Sequence, residues 1–106
     1  VSSRTTIPTL YVIVRSDLSI PQQAVQAVHA ALSSAYLIPY ARDQPHPHVI
    51  LCEAINESHL TYLAQKLQDQ GIPIAWFHEP DLDNALTAVA TGVLYDRNPC
   101  KKLQLL

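Results

Sequence analysis

Leu10-Tyr11-Val12-Ile13-Val14, then Arg15-Ser16-Asp17-Leu18-Ser19, then Pro21-Gln22-Gln23-Ala24-Val25-Gln26-Ala27-Val28-His29-Ala30-Ala31-Leu32 is the stretch that decides the fold. The first five residues are a compact, β-branched apolar run, which reads as a strand. The next five carry turn chemistry. The third segment opens with proline and is rich in alanine, which predicts a helix. Gln22, Gln26, His29 and Ser33 are spaced four, three and four apart and so share one face. Ala24, Ala27 and Ala31 share another, where the missing side-chain bulk lets a helix lie close to a sheet. A polar stripe that begins where a strand hands over to a helix is where α/β proteins build sites.

Outward from this stretch the chain alternates. Pro39, Pro45 and Pro47 mark a loop. His48-Val49-Ile50-Leu51-Cys52-Glu53-Ala54 predicts a second strand, and its near-continuous apolar run implies burial on both faces. Asn56 or Ser58 caps a second helix, whose one-sided apolar face is Leu60, Leu63, Ala64 and Leu67 and whose end is Gly71. Ile72 to Phe77 is a third strand, Glu79-Pro80-Asp81-Leu82-Asp83-Asn84 an acidic turn, and Ala85 to Thr91 a fourth strand closed by Gly92. The expected elements are strands near 9–15, 48–54, 73–78 and 85–91, with helices near 21–37 and 57–70. The order β-α-β-α-β-β predicts a single-domain α/β fold with three α-β-α layers and a mixed four-stranded sheet. Its two crossovers should make parallel neighbours and its short turn a final antiparallel pair.

Composition bounds the rest. The chain has 106 residues, 48% of them apolar, which suits one domain over 1–106, with a core about 9–92 and a tail 93–106. No run is long and apolar enough to span a membrane. Val1-Ser2-Ser3-Arg4-Thr5-Thr6 lacks the apolar stretch of a signal peptide, and two cysteines make no disulfide framework, so a cytoplasmic setting is expected. The net charge of −2 offers no global attraction to nucleic acid and argues against DNA, so any RNA contact must rest on a local patch.

Tyr11-Val12-Ile13-Val14-Arg15-Ser16-Asp17-Leu18, followed by Gln26-Ala27-Val28-His29-Ala30-Ala31, resembles the opening of the type-2 peptidyl-tRNA hydrolases, where Arg-Asn-Asp-Leu precedes a helix bearing Gln-Cys-Ser-His-Ala. Phe77-His78-Glu79-Pro80-Asp81-Leu82-Asp83-Asn84-Ala85-Leu86-Thr87-Ala88-Val89-Ala90 is similar to a bacterial and phage-type branch carrying Glu-Pro-Asp-(Leu or Ile)-Gly-(Asn or Asp)-x-Leu-Thr-Ala-(Ile or Val)-Ala. The two motifs span about residues 9 to 92 in the right order. The resemblance implies the type-2 hydrolase fold, hydrolysis of the ester between a peptide and tRNA, no cofactor, and a homodimer. There are departures. Ile20-Pro21-Gln22-Gln23 stands where the family has a lysine-rich Gly-Lys-Gly-Lys, so the lysine implicated in its catalysis has no match and Gln22 takes the place of the helix-proximal one. The acidic turn replaces the family's Asp-Ala-Gly-Arg-Thr.

Ester hydrolysis needs a positioned water, a base for its proton, and donors for the developing oxyanion. His29, Glu79, Asp81 or Asp83 is the candidate base. Thr87, Gln22 and Gln26 are candidate donors, Arg15 a candidate phosphate anchor, and Asp83 and Asn84 complete the substrate-binding turn. Each has a plainer reading: a structural histidine, a solvated glutamine face, a hairpin connection rich in turn formers. Three carboxylates in five residues also repel phosphate. The alternative function is therefore a non-catalytic member of the fold that binds a protein or small ligand. His46, His48 and Cys52 offer three metal ligands of two types but no fourth, so no metal is expected. Trp76-Phe77 could stack a base, although packing is its commoner use. The leucines of Lys101-Lys102-Leu103-Gln104-Leu105-Leu106 could dock on a partner or on the domain itself.

Overall fold

The computed structural model describes residues 7–106; the N-terminal stretch read above as lacking a signal peptide lies outside the described residues. Four strands, β1 (Thr9–Arg15), β2 (His48–Ala54), β3 (Ile74–Glu79) and β4 (Ala85–Thr91), form one sheet, with helices α1 (Ile20–Leu37) and α2 (Glu57–Asp69) between them. The sheet order is β2-β1-β4-β3. β1 runs parallel to β2 with Ile13 opposite Cys52, and β4 is antiparallel to both β1 and β3. The mixed α/β sheet expected from the pattern is present. The second crossover differs from expectation: β2 and β3 lie at opposite edges rather than side by side, because β4 and β1 occupy the centre.

Side-chain alternation assigns the two faces. Leu10, Val12, Val14, Ala88 and Ala90 form one core with Ala27 and Ala30 of α1. Tyr11, Ile13, Cys52, Ala54 and Val89 form the other with Leu60, Ala64 and Leu67 of α2. The helices thus cover opposite faces, and the alanines of α1 set a close approach. Ala24, expected among them, instead faces out.

β2 is a second departure. It was expected to be buried on both faces, but His48 and Val49 are exposed and Ile50 and Leu51 only half-buried. Its place at the sheet edge is the reason. The tail closes that edge: the Glu53 amide donates to the Gln104 carbonyl at 2.9 Å and the Leu106 amide to the Leu51 carbonyl at 3.1 Å.

Local chemistry fixes the element ends. Ser19 and Asn56 are the N-caps, accepting from the Gln22 and His59 amides respectively. Gly71, at φ 86°, follows α2 in the left-handed conformation that glycine adopts without strain. A Cβ at Gly92 would fall 2.7 Å from Ile38 Cγ2, so any side chain there would have to displace Ile38 where the end of β4 meets the end of α1.

Candidate functional site

A bulge builds the site. Phe77 pairs with Ala88 and His78 with Leu86, which leaves Thr87 unopposed. Such an extra residue re-aims the side chains around it. Thr87 turns toward α1 and its hydroxyl donates to Gln26 Oε1 at 2.7 Å. Gln26 is fully buried, and its amide nitrogen donates to Gln22 Oε1 at 3.0 Å and to Glu79 Oε1 at 2.8 Å. Residues 26, 79 and 87, taken from the two distant motifs, therefore meet in one hydrogen-bonded chain. Burying an amide and a hydroxyl costs free energy unless every group is paired, and here each is.

Glu79 is the charged end of that chain. The hydrogen bond from Gln26 holds its carboxyl below the ordinary value; partial burial opposes this, while the Asp81 amide and the nearby His29 add to it. The Asp81 amide lies 3.4 Å from Glu79 Oε2. Pro80–Leu82 forms a 3-10 turn, after which Asp83 and Asn84 both take left-handed backbone, at φ 54° and 60°. Asp and Asn tolerate that region better than other non-glycine residues. Asp81, Asp83 and Asn84 all face solvent.

His29 lies one turn along α1 from Gln26. Its ring stacks on Phe77, with centroids 4.6 Å apart and planes 10° from parallel. Phe77 thus joins the site, a role that the reading of Trp76-Phe77 as core or base-stacking residues did not assign. The signal was present: Phe77 precedes Glu79 by two on the same strand, so both side chains share a face. On its other side His29 borders an open apolar trough of about 280 Å³ with Ala24, Val25, Val28 and Leu32.

Arg15 is brought to the neighbourhood but is already engaged. Its Nε and Nη2 pair with the two Asp17 oxygens at 3.0 Å each, and Nη1 donates to the Leu86 carbonyl at 3.1 Å. The same pair raises the Arg15 pKa and lowers that of Asp17. Glu57, at the start of α2, accepts from the Leu86 amide at 2.8 Å. Asp17 and Glu57 act on the Arg15 guanidinium, and Glu79, Asp81 and Asp83 lie on the β3–β4 connection at the same end of the sheet.

The other constellation falls apart in space. His48 is exposed, Cys52 is buried on the α2 face, and His46 Nδ1 is 3.0 Å from the Pro47 carbonyl. Among the described residues no group of three or more His, Cys, Asp or Glu side chains is placed to hold a metal ion, and no helix is long and apolar enough to cross a membrane.

No family model and no curated protein matches the sequence. In structure the chain is similar to a protein of unknown function, Atu0240 of Agrobacterium tumefaciens strain C58. The TM-score is 0.67 with 13% identity, over 93% of this chain and 97% of that one. Such a likeness concerns the fold alone.

Proposed function

We propose that this chain is an ester hydrolase of the peptidyl-tRNA hydrolase type, with the type-2 fold that its two motifs resemble. The observation that carries the reading is the Thr87–Gln26–Glu79 chain beside His29, which joins the residues of both motifs. Glu79, kept ionised, holds a water and steadies the positive charge that develops on His29. His29 takes the proton of that water as the water oxygen attacks the ester carbonyl, and returns it to the departing ribose oxygen as the acyl–oxygen bond breaks. Gln22 uses its oxygen to accept from Gln26, so its amide nitrogen is left to donate to the developing oxyanion. Gln26 and Thr87 are positioning residues: both are buried and act through their neighbours.

The test is release of an N-acylated amino acid from tRNA by the purified chain. His29→Ala and Glu79→Gln are expected to abolish release. Gln22→Lys is expected to raise both tRNA affinity and rate, because a charged donor forms hydrogen bonds roughly twice as strong as a neutral one.

The acidic end of the sheet favours a second reading, a non-catalytic member that binds a protein or small ligand. Its carboxylates repel a phosphate backbone, and Arg15 is already paired. No release by wild type or Gln22→Lys, together with no tRNA gel shift at low salt, would establish this reading over the first.

A further inference from the structure

The face of the sheet opposite the site carries a recess of about 430 Å³ between β1, β2 and the tail. Cavities of that size hold small organic ligands. Tyr11 and Ile50 are register partners on the two strands, and Cys52 follows Ile50 by two, so all three lie on the α2 face and form the floor. Cys100 and Leu103 of the tail form a wall. Burial pushes the two thiols up to about 11 and about 12, so both stay neutral and behave as small apolar groups. The rim differs: it carries two exposed cations, Arg97 and Lys101. Arg97 is fixed there, because its Nε donates to the Tyr11 hydroxyl at 2.8 Å and its Cζ lies 5.9 Å from the centre of the Tyr11 ring. Much of its bonding capacity is unspent. Among the described residues Nη1 and Nη2 have no protein acceptor, no carboxylate forms an ion pair with Arg97 or Lys101, and the proton of the buried Tyr11 hydroxyl has no acceptor. Arg15 is the contrast, with all three of its nitrogens bonded.

We propose that this recess binds a small carboxylic acid with an apolar body, its carboxylate on Arg97 and Tyr11 at the rim and its body against Ile50, Cys52 and Leu103. A guanidinium matches a carboxylate in plane through two parallel N–H bonds, and its pairing with Tyr11 holds that fork in position before the ligand arrives. The free phenol proton supplies a further donor, and Lys101 adds charge without direction. The apolar body displaces water from an isoleucine, a leucine and two neutral thiols. A single charge suits the place better than a phosphate dianion, since past the rim the lining side chains are apolar or thiol and give no compensation for a second charge. The field of the molecule agrees: the chain is acidic as a whole, yet this rim is positive, so an anion is drawn here and repelled from the β3–β4 turn. The recess lies across the sheet from His29 and Glu79, so the inference does not rest on the function proposed above.

The experiment is titration calorimetry of the full chain with octanoate, octyl phosphate and octanol, which share a body and differ in the head. Saturable binding of octanoate is expected, with octyl phosphate weaker and octanol weaker by about tenfold or more, the value of charge-assisted hydrogen bonds. Arg97→Gln should weaken octanoate by about tenfold and Tyr11→Phe by about two- to tenfold. Arg42→Gln, at a recess on the α1 face, should leave binding unchanged. Octanoate should also slow alkylation of Cys52 and Cys100 in wild type and lose that effect in Arg97→Gln, an exposed position whose substitution leaves the circular dichroism spectrum unaltered. No saturable binding, equal affinity for octanol, tighter binding of octyl phosphate, undiminished affinity in Arg97→Gln, or an unchanged rate of alkylation would each overturn the inference. So would flotation of the chain with anionic lipid vesicles while free octanoate stays unbound, which would assign the rim to a membrane surface.

Discussion

Gln26 concentrates the free-energy stakes of the site because it is buried and its amide bonds three side chains at once. Thr87→Val keeps the shape of that contact and removes its proton, leaving Gln26 Oε1 buried without a donor. The expected cost is about 1–3 kcal/mol in denaturant unfolding, with Thr87→Ser restoring most of it. Glu79 makes a pH prediction whose sign follows from its lowered pKa. In the folded chain it binds a proton less readily than in the unfolded chain, so its contribution to stability is full above the ordinary carboxylate value of 4.5. That contribution fades as pH falls from there through the depressed folded value. Wild type should therefore lose more stability than Glu79→Gln between neutral and acid pH, and equal slopes in pH-dependent urea unfolding would count against the Gln26 contact. The sequence pointed to these residues by motif and spacing. It could not show that Gln26 would turn inward, since a glutamine at helical spacing faces water as readily as a sheet until a bulge supplies its partner.

The strands and helices were readable from periodicity and breakers because each has a local cause. The β-branched run makes β1, Ser19 and Asn56 start the helices, and Gly71 stops the second. What periodicity misread was the environment of the elements. β2 carries a central strand's composition at an edge, and α1 turns Gln26 inward and Val25 and Val28 outward. Both depend on what lies across from the element, and hydropathy along a chain does not record that. Close packing of α1 on the sheet makes Ala30→Leu an overpacking change at a fully buried position, expected to cost about 1–3 kcal/mol in thermal or denaturant unfolding. In the β3–β4 connection Asn84 sits at φ 60°. Asn84→Val places a β-branched side chain in left-handed backbone and should destabilise by about 1–2 kcal/mol by the same measurement, with Asn84→Gly nearly neutral.

Across the whole molecule, charge is unevenly placed. Five carboxylates cluster at the end of the sheet that holds the site, while Lys66, Arg97, Lys101 and Lys102 lie on α2 and the tail. Net charge alone hides this division, which arises only when the turn between β3 and β4 is folded beside α1 and Arg15. The tail was expected to dock on a partner or on the domain, and within this chain it lies along β2. Two thiols are buried there, Cys52 on β2 and Cys100 within the tail itself, which burial pushes up to about 11 and about 12. Leu103 and Leu105 line the same recess. The last residues, 103–106, are held on the strand edge by those two backbone hydrogen bonds and a few leucine contacts, so they are a candidate for the first part of the chain to lift away. Their departure would uncover at once a reactive sulfur and the unpaired rim of a sheet, and such a rim invites strands of other molecules. Alkylation of the two cysteines therefore times the opening that precedes clumping, and agents that slow the one should delay the other.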